Sequence, residues 1–276
     1  MKLYSDAPQA SIKMSDDPAL VAAIEAAIHT YRTSIVIETG TFEGTGSTRI
    51  IAESLRRSGQ PTTYVTLEVS FKNWCTAYHN LRPFLFVDCR WGCSVDKTGA
   101  IEFVRNDDAI IDHRKYPNIY IDDVDNPVLF YTNELNGMLG SSSSEPKISA
   151  AADSPLSERA KSWLRSMAVR GPTNMRSSMV DRNVMRQLWS GESLLPQLLR
   201  LHHDNRPLIV LDSAGGCGLY EFQIMMDIMG DACFLLLLDD THHLKHFRSL
   251  RHVKADSRFR LLEESEYHGW ALAWHE

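Results

Sequence analysis

The sequence predicts an α/β fold: a doubly wound, mostly parallel sheet of seven strands with helices on both faces. Three observations predict it. Strand-like runs recur at residues 35–37, 62–69, 84–88, 208–212 and 233–240, and the first is continuous and apolar rather than alternating, as a strand buried on both faces requires. Helix-length segments separate successive runs at short spacing, which implies parallel pairing through right-handed crossovers. The tail RFRLLEESEYHGWALAWHE reads as two short strands around a turn, an antiparallel C-terminal hairpin.

The elements follow in order. Asp17-Pro18 is a helix start, a capping acid before proline at the first helical position. Leu20, Ile24 and Ile28 recur every four residues, so residues 18–31 read as an amphipathic helix. Ile35, Val36 and Ile37 end in the acid Glu38, followed by a turn rich in glycine (Gly40, Gly44, Gly46) and a helix opened by Ser47 or Thr48. A second strand, 62–69, ends in Glu68, and residues 71–81 form the next helix. The third strand, 84–88, leads into CRWGCSVD.

The alternation loosens over residues 99–206, which read as a partly helical insertion. It holds the acids Asp122, Asp123 and Asp125, most simply a solvated turn, and a low-complexity spot expected to be mobile, Gly140 with Ser141 to Ser144. Helices are expected at 154–169, 178–189 and 193–203, the last rejoining the core. The core resumes at Pro207, with strands 208–212 and 233–240 and a final helix over 241–254. The organisation is therefore 1–98 and 207–276 as two halves of one core around 99–206.

Composition narrows the function. With 276 residues, 43% of them hydrophobic, the chain can bury one large domain with a substantial insertion. A net charge of −6 argues against a nucleic-acid partner, whose phosphates demand a basic face. The five cysteines are odd in number and none forms a CxxC pair, so a disulfide framework or structural zinc is not expected and a cytoplasmic location is. The N-terminus lacks the apolar core of a signal peptide, and no apolar run approaches the about 18 residues of a membrane span.

Glu38, Glu68, Asp88, Asp212, Asp239 and Asp240 fall at or just beyond five strand ends. Ligands of open parallel sheets bind beyond the carboxyl ends of the strands, so this asymmetry marks a site. The glycine loop does not have the dinucleotide spacing G-x-G-x-x-G, and no G-K-S/T follows, so it is neither that fingerprint nor a P-loop.

The loop resembles the first motif of class I S-adenosylmethionine-dependent methyltransferases, an acid-x-Gly-x-x-x-Gly turn matched at Glu38, Gly40 and Gly44 of ETGTFEGTGS. Glu68 in VTLEVS resembles the acid with which that family takes both ribose hydroxyls. Gly92-Cys93-Ser94 stands where the family often has Gly-Asp-Ser along the adenine, with cysteine replacing the acid. The resemblance covers residues 18–98 and 207–276 and implies a Rossmann-like fold. It implies a cofactor site of Glu38, Gly40, Thr41, Gly44, Ser47, Glu68, Cys93, Ser94 and Asp212.

In the second half, Asp212, Asp239 and Asp240 resemble the metal-binding acids of small-molecule O-methyltransferases, sugar and natural-product enzymes being the nearest likeness. Carboxylates without thiolates suit a hard ion such as Mg²⁺, although the acid-x-x-histidine companion expected after Asp212 is missing. The alternative is that Asp239 or Asp240 caps the next helix and no metal binds. His242 or His243, directly after the paired aspartates, is the expected general base, with His243 preferred and Asp212 also placed among the catalytic groups. The expected partner is a small hydroxylated molecule, with no nucleic acid and no membrane, and a homodimer is kept open. The competing reading is a non-catalytic cofactor-binding or scaffolding protein on the same fold.

Overall fold

The computed structural model describes residues 14, 17–59, 62–135, 193–213 and 215–276. The expected helices at 154–169 and 178–189 and the spot at 140–144 lie outside the described residues. The strands are β1 (Ile35–Thr39), β2 (Thr63–Glu68), β3 (Val87–Trp91), β4 (Leu208–Leu211), β5 (Phe234–Leu238), β6 (Phe259–Ser265) and β7 (Trp270–His275). They form one sheet in the order β3-β2-β1-β4-β5-β7-β6. Strands β1 to β5 pair in parallel, and β7 inserts antiparallel between β5 and β6. The fold is the Rossmann-like α/β sheet with an antiparallel terminal hairpin that the sequence predicts. Its order reverses at β1, whose neighbours are β2 and β4, so the crevice for a ligand lies where β1 and β4 end.

Strand parity sorts the core into two layers. Val36, Tyr64, Leu208, Val210, Leu235 and Trp270 face α1 (Pro18–Tyr31), α2 (Ser47–Ser58) and α3 (Phe71–Asn80). Ile35, Ile37, Ile209, Leu211 and Leu236 face α4 (Lys97–Asn106) and, from the second half, α7 (Leu194–Leu201), α8 (Gly218–Met229) and α9 (Phe247–Ala255). Between them lie the short α5 (Asp108–Ile111) and α6 (Pro127–Leu135). Helix α4 runs across residues 98 and 99 and buries Ala100 in the same core, while α7 contributes four leucines to it. The first helix is held at its start as expected: Asp17 accepts from the Ala19 N–H at 2.9 Å. The same carboxylate accepts from Trp270 Nε1 at 2.9 Å, tying the cap to the terminal hairpin.

Two elements differ from the sequence reading. The third strand lies at 87–91, not 84–88, because Pro83 has no N–H for a ladder and the Val87 N–H closes a turn onto Phe84. Asp88 is therefore an exposed residue near the start of an edge strand, paired with Arg90, and does not reach the ligand edge. The last helix begins at Phe247, not Thr241. Tyr120 donates its N–H to the His242 carbonyl and accepts from Leu244, so backbone groups a helix would need are already paired. His242 and His246 thus do not share a helical face.

Candidate functional site

The glycine loop turns back over the ends of β1 and β4. Gly40 has φ +86°, and a Cβ there would lie 1.9 Å from the Asp212 carbonyl oxygen. The residue is glycine because the loop must cross that carbonyl, and this closeness joins the cradle after β1 to the acid after β4. The Gly40 and Thr41 amides both donate to the Leu67 carbonyl. Glu38 is fully buried beneath the loop. Its Oε2 accepts from Thr48 Oγ1 at 2.8 Å, the Tyr64 hydroxyl at 2.7 Å and Thr66 Oγ1, and Oε1 accepts from Ser47 Oγ at 3.2 Å. Burial raises its pKa to about 7 against those donors. Glu38 therefore braces the loop from below rather than lining its upper surface. Thr41 is also buried, its hydroxyl on Thr66.

Glu68 ends β2 beside the loop. It accepts from the Phe42 N–H and the Ser70 N–H, each at 2.7 Å, one on each oxygen. Those amides fix the carboxylate, and its remaining lone pairs are compatible with a diol. Burial raises its pKa. Beside it, Phe71, Trp74 and Trp91 form an aromatic cluster, with the Phe71 and Trp91 rings 4.4 Å apart. The turn after β3 is held from the other side. The Leu194 and Leu195 amides at the start of α7 donate to the carbonyls of Cys93 and Ser94, and the Ser94 hydroxyl donates to Glu221. Glu221, fully buried on α8, also accepts from Thr39 Oγ1 at 2.9 Å. It links the ends of β1 and β3, and burial raises its pKa.

Across the crevice, Asp212, Asp239 and Asp240 converge, with one ligating oxygen from each within 4.8 Å of the others. Lys245 stands among them. Its Nζ donates to Asp212 Oδ1 at 2.7 Å and Asp240 Oδ2 at 2.9 Å, with its side chain 5% exposed. Burial opposes the charge on Lys245, but the surrounding carboxylates outweigh it and hold the ammonium well above the usual lysine range. The lysine holds Asp240 down at about 2, while burial and the Asp212 and Asp240 charges push Asp239 up. Ser47 Oγ lies 3.2 Å from Asp212 Oδ2, completing the bridge between the two halves of the site.

The histidines are arranged otherwise than expected. His243 is buried, and its Nδ1 accepts the Lys245 backbone N–H at 3.0 Å. Its Nε2 therefore carries the proton and donates to Asp122 Oδ2, also 3.0 Å away. With both nitrogens engaged, His243 has no lone pair for a substrate proton in this arrangement. His242 points to the Glu266 carbonyl at the hairpin turn, away from the acids. Asp122, which reads in sequence as part of a solvated turn, is instead drawn into the site. Burial pushes its pKa up most strongly, but the hydrogen bond and charge of His243 together with the Tyr131 hydroxyl outweigh burial and lower it. Asp123 keeps the turn role, accepting from the Asp125 and Asn126 amides. Nearby on α6, Glu134 has a buried Oε2 with no hydrogen-bond partner. Burial, then the Asp122 charge, raise its pKa to about 7, against Lys245.

Lys245, Glu221, Asp122 and Glu134 are the polar groups that sequence reasoning missed. Lys245 stands two residues after the histidine pair, but its partners Asp240 and Asp212 lie 5 and 33 residues away in sequence.

A scan against protein families finds no match to this chain, and a search of curated proteins finds none. Solved structures similar to it include the O-methyltransferase from Bacillus cereus in complex with SAH, at 11% identity over 96% of this chain and 84% of that one, TM-score 0.44. Another is the O-methyltransferase TomG from Streptomyces achromogenes, involved in tomaymycin synthesis and in complex with SAM, at 9% identity over 94% and 80%, TM-score 0.42. Cofactor-bound Rv0187 from MTB matches at 11% identity over 98% and 82%, TM-score 0.42. The fold stands on its strand order and the site on its own geometry.

Proposed function

We propose that this chain is an S-adenosylmethionine-dependent methyltransferase that methylates a hydroxyl of a small molecule such as a sugar or natural product. One observation carries the reading. The glycine loop with its neighbouring acid, Glu68, and a charged acid cluster flank the same topological switch point, joined through Gly40, Ser47 and Asp212. Bound S-adenosylmethionine would supply an activated methyl group that passes from sulfur to the substrate oxygen as the hydroxyl proton leaves.

The chain's own residues then have three tasks. Glu68 accepts the ribose hydroxyls, with the Phe71, Trp74 and Trp91 cluster at the adenine end. The small residues of the loop, seated on Glu38, take the methionine portion and aim it across the crevice. Proton removal falls to Glu134 rather than to His243. Its partnerless oxygen and a pKa near neutrality are the properties a general base needs, whereas both His243 nitrogens are engaged. Residues of the 99–206 region, which supplies Asp122 and Glu134, form the wall on the substrate side. A reducing compartment suits the five cysteines, which form no disulfide among the described residues. No helix of the described residues is long and apolar enough to cross a membrane.

Calorimetry with S-adenosylhomocysteine tests the reading, and the absence of binding at millimolar ligand would sink it. A second reading has its own support. Glu38 and His243 are engaged within the protein and Lys245 has two carboxylate partners, as a cofactor-binding scaffold without turnover would allow. That scaffold would bind S-adenosylhomocysteine yet transfer no methyl group to any hydroxylated compound in a screen with radiolabelled cofactor.

A further inference from the structure

Three carboxylates with oxygens within 4.8 Å of one another have the chemistry of a seat for a hard divalent cation. The residues present do not fit one, because the place is taken by a side chain. Lys245 Nζ lies 2.7 Å from Asp212 Oδ1 and 2.9 Å from Asp240 Oδ2. Mg²⁺ needs oxygens drawn in to about 2.0–2.1 Å in near-octahedral order, and two of these three carboxylates already accept from the ammonium. Two cations side by side would repel one another, and the attraction of the acids cannot be given in full to both.

The lysine is built in rather than resting there. Its side chain is 5% exposed. Its stem crosses the start of α8, where a Cβ on Gly218 would lie 2.6 Å from Lys245 Cγ. Its backbone N–H is fixed by His243 Nδ1 at 3.0 Å, and His243 is in turn fixed by Asp122. Swinging the ammonium aside would strip the largely enclosed Asp212 carboxylate, 18% exposed, of its cation, which is unfavourable, whereas Asp240 could turn to water.

We propose that Lys245 is the resident cation of this acid cluster, standing where a divalent ion would sit, and that the protein works without a divalent metal. An ammonium has three hydrogens, and two go to Asp212 and Asp240. The third is the donor available to a substrate oxygen as it loses its proton. The inference rests on the methyl-transfer reading only for that last role. The cluster's occupant can be tested without turnover.

The test is a titration of the chelator-treated full chain with Mn²⁺, reading free Mn²⁺ by electron paramagnetic resonance. The wild type should leave an equimolar Mn²⁺ signal unchanged. Lys245→Ala should bind one Mn²⁺ per chain at least about tenfold more tightly than wild type, about 1.4 kcal/mol. Adding Asp239→Asn in that background should abolish the binding. Stoichiometric Mn²⁺ binding by the wild type, lost on Asp239→Asn, overturns the proposal; so does a folded Lys245→Ala chain that binds none. If Lys245→Ala does not fold, Lys245→Met keeps most of the stem volume, and the wild-type titration decides by itself. Failure of the methyl-transfer reading would instead appear as absent S-adenosylhomocysteine binding and would leave the Mn²⁺ result untouched.

Discussion

Gly40 and Asp212 touch backbone to backbone: a Cβ on Gly40 would lie 1.9 Å from the Asp212 carbonyl oxygen and 2.6 Å from its carbon. No rotamer relieves such a contact, and φ +86° adds strain for any L side chain. Gly40→Ala should therefore cost about 1–3 kcal/mol or more and displace the loop from the end of β4. Gly46 has nothing within 4 Å of its Cβ position, so Gly46→Ala is the control. Denaturant midpoints of the two variants check this, and equal midpoints would remove the structural role given to Gly40.

Glu38 should leave a signature in stability against pH. Burial raises its pKa to about 7 from 4.5, so between those values the folded state holds more protons than the unfolded. The stabilisation is full below the unfolded value and is lost as pH rises through about 7, by up to about 3 kcal/mol. In Glu38→Gln that contribution to the slope should vanish. Urea unfolding of both chains from pH 4.5 to pH 8 reads the difference, and parallel curves would contradict the assignment.

Glu134→Gln should lower kcat by about 10²-fold or more while leaving S-adenosylhomocysteine affinity within twofold, because general-base catalysis typically contributes about 10²–10⁴. A base must be deprotonated to act, so wild-type kcat should rise with pH to a plateau above about 7, and the variant should lose that limb. An unchanged profile would return the base to another group.

Asp17→Ala removes at once the cap on α1 and the partner of Trp270 Nε1. A lost N-cap costs about 0.5–2 kcal/mol, and the orphaned buried indole N–H adds to it. Thermal unfolding should show a lower midpoint with unaltered cofactor affinity, since this cap lies on the sheet face opposite α8.

Legibility in the sequence followed burial. β1, β4 and β5 are buried along their whole length and read as unbroken apolar runs, so their acids Glu38, Asp212 and Asp239 could be placed on one edge. β3 lies at the sheet edge with mixed exposure, and its polar VDCRW gave no such run, which misplaced Asp88. Lys245 was hidden because its partners lie 5 and 33 residues away, and a lysine among histidines reads as a solvated face. Glu221 sits in an amphipathic helix where an acid ordinarily faces water; only the tertiary approach of Thr39 and Ser94 shows that it does not. Asp122 reads as a turn residue until the bridge between Tyr120 and His243 brings it inward.

The most direct measurement of the central claim is calorimetric titration of the full chain with S-adenosylhomocysteine, run alongside Glu68→Ala. Saturable binding of one ligand per chain is expected, weakened at least about tenfold by the substitution, equivalent to about 1.4 kcal/mol. No heat of binding at millimolar ligand, or equal affinity in the two chains, would contradict the cofactor site built on the glycine loop and Glu68.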